Sequence, residues 1–126
     1  MKRLILSSLV VAAAVVFAAS AGARPAMTHP KLIGAVGKDD AFTITLRTAN
    51  GKLVRTLPAG TYTFVIHDFS SLHNFQLSGP HGFARAFTTV AAITTRTVTL
   101  RLTAGKYKYV CDPHAATMHG AFKVTG

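Results

Sequence analysis

Short runs in which apolar and polar residues alternate, broken at close intervals by turn residues, occupy most of this 126-residue chain. Such a pattern fits half-buried strands and little else. In "AFTITLRT", Phe42, Ile44 and Leu46 oppose Thr43, Thr45 and Arg47. An Asn-Gly turn follows at Asn50–Gly51. "TYTFVIH" puts Tyr62, Phe64 and Ile66 on one face, and "RTVTLRLT" does the same with Val98, Leu100 and Leu102. In "KYKYVC", Tyr107, Tyr109 and Cys111 oppose Lys106 and Lys108; in "HGAFKV", Phe122 and Val124 oppose Lys123. No helical period is sustained after the first two dozen residues. The stretch 78–92 is the least regular and reads as a long connection. Six to eight short strands in one domain's length predict an all-β, two-sheet Greek-key β-sandwich.

The amino terminus reads differently. Lys2 and Arg3 precede an apolar run over residues 4–19, and small residues follow it. This is the layout of a signal peptide, residues 1–23, with cleavage expected after Ala21 or Ala23. The apolar run is short for a membrane span, and no second one follows it. Residues 24–126 then form a single domain, exported to a periplasmic or extracellular space, with no transmembrane span after cleavage. Lys and Arg outnumber Asp and Glu 14 to 4, a formal charge of +10. The basic residues are scattered singly along the strands, without a run or a helical stripe. That distribution, behind an export signal, argues against nucleic acid; it reads first as a solvated basic surface, and otherwise as one that attracts an acidic partner protein or an anionic envelope surface. The expected state is a monomer.

Against this background the run "YVCDPHAATMHGAFKV" needs an explanation. It contains the only cysteine, Cys111. A lone thiol cannot close a disulfide within the chain, and in an oxidising compartment it must be buried, paired with another molecule or ligated. Strand parity turns Cys111 and Met118 inward and His119 outward, with His114 on the loop between them. Upstream, "SLHNFQL" gives His73 the parity of Phe75 and Leu77. One thiolate, two imidazoles and a thioether form a soft donor set, the combination of trigonal copper sites with a weak axial methionine. Zinc rarely uses methionine, and calcium or magnesium would want oxygen. His67 and His81 read as surface or hydrogen-bonded residues. The sequence Met27–Thr28–His29 could hold further copper weakly.

The segments "HNF" and "CDPHAATM", with the lead-ins "AGTYTFVIHD" and "AGKYKYVCDPH", resemble the cupredoxin family in its plastocyanin and pseudoazurin branch. The resemblance spans roughly residues 32–124. It implies a cupredoxin-like fold and one type 1 (blue) copper ion, with His73, Cys111 and His114 as equatorial ligands and Met118 as the axial one. It also implies that Asn74 braces the ligand loop. The three residues between His114 and Met118 are one fewer than in plastocyanin-like loops and one more than in amicyanin-like loops. The function implied is single-electron transport to a transient redox partner. The alternative is a copper chaperone or scavenger on the same scaffold. A copper oxidase or nitrite reductase would need further copper sites, often as His-x-His pairs. This sequence has no such pair, so a non-enzymatic role is expected.

Overall fold

The computed structural model describes Val15, Ala18 and residues 20–126. Apart from Val15, Ala18 and residues 20–23, the expected signal peptide lies outside the described residues. Among those described, no helix is long and apolar enough to cross a membrane.

Among the described residues, nine strands form two sheets. One has β1 (Lys31–Val36), β2 (Ile44–Thr48), β4 (Gly60–Asp68) and β7 (Thr94–Leu102), in the order β2-β1-β4-β7. The other has β3 (Thr56–Pro58), β5 (Gln76–Ser78), β6 (Ala84–Ala86), β8 (Gly105–Val110) and β9 (His119–Thr125), in the order β3-β9-β8-β5-β6. The expected sandwich is present, and the three-residue strands β3, β5 and β6 bring the number to nine. Such short strands carry too few alternating residues to stand out in a sequence. β6 lies inside the stretch 78–92, after a 3-10 turn at Pro80–Gly82.

Alternation sets the core. Leu32 and Val36 of β1 and Tyr62, Phe64 and Ile66 of β4 turn inward. Across from them lie Leu77, Tyr107, Tyr109, Phe122 and Val124 of the second sheet. Phe75, fully buried just before β5, stacks on Tyr109 with ring centroids 5.5 Å apart. Burying a side chain of this size stabilises by about 1.5–3 kcal/mol.

Register decides where the loops meet. β1 and β4 pair in parallel, with Val36 opposite Asp68, so both strands finish at the same end of the sandwich. Gln76 at the start of β5 pairs with Val110 at the end of β8, and Val110 pairs with His119 at the start of β9. The loops 37–43, 69–75 and 111–118 therefore share one end.

Candidate metal centre

The hairpin loop between β8 and β9 is closed at its neck, where the Cys111 N–H donates to the Met118 carbonyl at 3.0 Å. Within it, Asp112–His114 forms a 3-10 turn with Pro113 near its start, a position that needs no N–H. The His114 N–H donates to the Cys111 carbonyl at 3.0 Å, and the Met118 N–H to the His114 carbonyl at 2.8 Å. The three residues after His114 thus complete one helical turn. That turn returns Met118 to the interior, where it is fully buried beside the equally buried Cys111.

His73 arrives from the loop after β4 and is also fully buried. Its Nδ1 lies 3.6 Å from Cys111 Sγ and 3.1 Å from His114 Nδ1, which is itself 3.6 Å from Sγ. A triangle with these sides has its centre about 2 Å from all three atoms, close to a metal–imidazole bond length. A thiolate and two imidazoles pointing at one such centre fit a copper ion. Two of the three residues are fully buried and His114 is partly exposed. An ion there would lie between two fully buried residues and the partly exposed His114.

The loops carrying His73 and Cys111 are tied to each other. Asn74 Nδ2 donates to Asp112 Oδ2 at 2.7 Å, and the Asp112 N–H returns a bond to Asn74 Oδ1 at 2.8 Å. Asn74 thus makes the brace expected of it, and Asp112 is its partner. The next residue, Phe75, is held by its N–H to Thr88 Oγ1 at 2.9 Å, while its carbonyl accepts from the Phe87 N–H at 2.9 Å. His119 faces outward as expected. Its Nδ1–H donates to the Ala115 carbonyl at 2.8 Å, so the ring staples the loop from outside. His67 lies 3.0 Å from the Thr95 hydroxyl, and His81 sits in the exposed turn at Pro80–Gly82.

Phe42 departs from the expected pattern. Alternation put it inward with Ile44 and Leu46, yet it is 57% exposed. The chain turns just before β2, with the Thr43 N–H bonded to the Ala41 carbonyl and the Gly37 N–H to the Thr43 carbonyl. Strand parity therefore stops at Ile44. Phe42 instead lies edge-on against both histidines, 4.7 Å from the His114 ring and 5.2 Å from that of His73. Asp39 and Asp40 reach this turn with positive φ, a conformation that Asp tolerates better than most residues.

Two further residues escaped the sequence reading. Gly37 has φ +67, and a Cβ there would stand 2.6 Å from His73 Cδ2 and 2.7 Å from Ser70 Cβ. Asp68, at the end of β4, is 2% exposed. Burial pushes its carboxyl above the usual range, opposed by the Thr88 hydroxyl, the Ser70 N–H and the His73 imidazole. The one signal of it in the sequence was an acidic residue closing the apolar run of β4.

Comparison with known proteins agrees with this geometry. Residues 77–125 match the family described as copper binding proteins, plastocyanin/azurin family. The match includes Cys111, His114 and Met118 but begins after His73. Solved structures of rusticyanin share the fold. Rusticyanin from Thiobacillus ferrooxidans aligns with a TM-score of 0.54 and 22% identity, over 75% of this chain and 76% of that one. The fold is cupredoxin-like.

Reduced rusticyanin gives a TM-score of 0.53 at 23% identity, over 75% of this chain and 78% of that chain. A structure described as the copper protein rusticyanin gives 0.54 at 20%, over 75% and 76%. No curated protein matches in sequence. Copper is the cofactor to which the family match and the donor set both point, and the triangle of His73, Cys111 and His114 is the place suited to it.

Proposed function

We propose that the protein is an exported electron carrier, its copper held by His73, Cys111 and His114, with Met118 as a weak axial thioether. The observation that carries this reading is the convergence of a thiol and two imidazole nitrogens within 3.6 Å of one another, on loops braced by Asn74 and Asp112. Copper bound in such a set exchanges one electron between Cu(I) and Cu(II). The chain's part is to keep one ligand geometry through both states. Strand ends, the neck bond from Cys111 to Met118 and the Asn74–Asp112 pair restrain the donors in the way a preorganised site requires. Residues 1–23 would direct export and be removed.

The exit for an electron is His114, the partly exposed member of the donor set. Exposed Phe42, Leu72, Ala115 and Ala116 offer a small apolar face at this end for a transient partner. Lys106, Lys108 and Lys123 stand on the outer face of the β8–β9 pair, with Lys106 directly opposite Lys123. They would steer an acidic partner, and association should then slow as salt is raised.

The direct test is to add Cu(II) to the purified mature protein and record visible absorption and electron paramagnetic resonance. An intense thiolate-to-copper band, lost on reduction and restored on reoxidation without loss of metal, is expected. Copper shed at each cycle would favour the chaperone reading, and the lack of any band with Cys111 still free to titrate would remove the electron-carrier reading.

Phe42 supplies a narrower prediction. Phe42→Ala opens the imidazole edges to water, which favours the more highly charged oxidised site. The midpoint potential should fall, as read by redox titration; an equal or higher value would contradict the shielding role.

A further inference from the structure

We propose that Asp68 is a positioning residue for the metal centre. Its Oδ2 receives the Nε2–H of His73 through one bridging water, which holds the imidazole with the Nδ1 lone pair toward Cys111 and His114. The proposal rests on the reading that His73 ligates through Nδ1.

Among the described residues, Asp68 Oδ2 and His73 Nε2 are the buried side-chain polar atoms without a hydrogen-bond partner. They are complementary. A neutral imidazole has one donor and one acceptor nitrogen. The Nδ1 of His73 faces the donor triangle and must present a lone pair to a metal, so Nε2 carries the proton and needs an acceptor. Asp68 Oδ2 has no donor within hydrogen-bond distance, although the Thr88 hydroxyl stands near the carboxyl. Its sister Oδ1 is already engaged by the Ser70 N–H at 3.2 Å. Buried polar groups that lack a direct partner are commonly joined by an ordered water, provided that two to four polar atoms surround it.

Ser70 supplies the link in space. Its Cβ and the Cδ2 of His73, the ring carbon bonded to Nε2, crowd the same point above Gly37. The Cδ2 side of the ring, one bond from Nε2, is therefore packed beside the Ser70 side chain, and the Ser70 N–H is bonded to Asp68 Oδ1. Ser70 is 1% exposed, and its Oγ, which also accepts the Leu72 N–H at 3.3 Å, gives the water a third neighbour. The electrostatic influence of the imidazole on the Asp68 carboxyl is a separate sign that the two are close. Carboxylate–histidine–metal arrangements of this kind fix the tautomer and orientation of a ligating ring.

The test uses the copper-free protein, labelled with ¹⁵N at histidine, at a pH where the imidazoles are neutral. In the unaltered protein His73 should be the Nε2–H tautomer, with its ring proton in slow exchange with solvent. Asp68→Asn keeps an acceptor of the same shape and should keep that tautomer, while its Nε2 resonance moves because the acceptor has changed. Asp68→Leu removes the acceptor. It should give a mixture of tautomers and exchange at least tenfold faster, and the copper-loaded form should show a shifted midpoint potential. A folded Asp68→Leu protein with the original tautomer and exchange rate would overturn the proposal. If that variant does not fold, an unmoved Nε2 resonance in Asp68→Asn overturns it instead. Because the tautomer is read without copper, a chain that binds no copper but passes this test refutes only the electron-carrier reading.

Discussion

Cys111→Ser protein supplied with Cu(II) is expected to show none of the intense visible absorption of the unaltered chain. That band needs a thiolate bound to copper, and a serine hydroxyl stays protonated where a metal-bound thiol gives up its proton. Ser Oγ would still stand between the Nδ1 atoms of His73 and His114, which both point at position 111. Weak, nearly colourless binding to the imidazoles should therefore persist. Losing an outer partner of a metal ligand costs 10–100-fold in affinity, so loss of the ligand itself should cost at least ~100-fold. Heat provides a second readout. A metal that binds only the folded state at about a thousand times its dissociation constant adds about 4 kcal/mol of stability. For a domain of this size that raises the melting temperature by roughly 15–30 °C. Cys111→Ser should lose most of that rise while its copper-free melting temperature stays near the original. A blue Cys111→Ser protein would disprove the assignment of the thiolate.

Gly37→Ala should be among the most damaging single changes outside the donor set. At φ +67 an L-residue pays roughly 1–2 kcal/mol in backbone strain. The new Cβ would also stand 2.6 Å from His73 Cδ2 and 2.7 Å from Ser70 Cβ. Overpacking of that kind typically costs about 1–3 kcal/mol. Together these make about 2–5 kcal/mol, against a total stability of about 5–15 kcal/mol for a typical domain. Part of the clash can be relieved by tilting the His73 ring, so the copper spectrum should change as well as the denaturation midpoint. Gly51 is the control. Its φ is +85, but nothing lies within 4 Å of a Cβ added there. Gly51→Ala should show the backbone cost alone and leave the spectrum untouched. Equal effects of the two substitutions would mean that the contact with His73 does not matter.

The two sites also mark how far the sequence could be read. The inward turn of Cys111 and Met118 was legible because a strand has period two, and His114 was placed on the loop between them. Parity separated Met118 from His119 across a single residue, and the structure buries the first and exposes the second. His73 was legible for the same reason, with Phe75 and Leu77 as guides. Phe42 was not, because alternation carries a side chain's direction only while the strand lasts, and β2 begins two residues later. Asp68 and Gly37 were hidden differently. Each acts through a neighbour that the chain reaches by pairing β1 in parallel with β4, and a parallel register leaves no local trace in composition or spacing. The short strands β5 and β6 were lost within an irregular stretch, though β5 is what aligns the His73 loop with the end of β8.

The hydrogen-bonded pair Asn74–Asp112 has a consequence for the order of events in the life of the chain. In an unfolded chain Cys111 and His114 are three residues apart, whereas His73 is 38 residues from Cys111. Copper met before folding would find two adjacent donors on a loose segment and would exchange readily. The third donor joins them only when β5 pairs with β8 and the Asn74–Asp112 bonds close, a long-range step that comes late in the folding of β-rich chains. Folding is thus the gate for retaining metal, and a chain still unfolded during transport would arrive with its permanent site yet to be made.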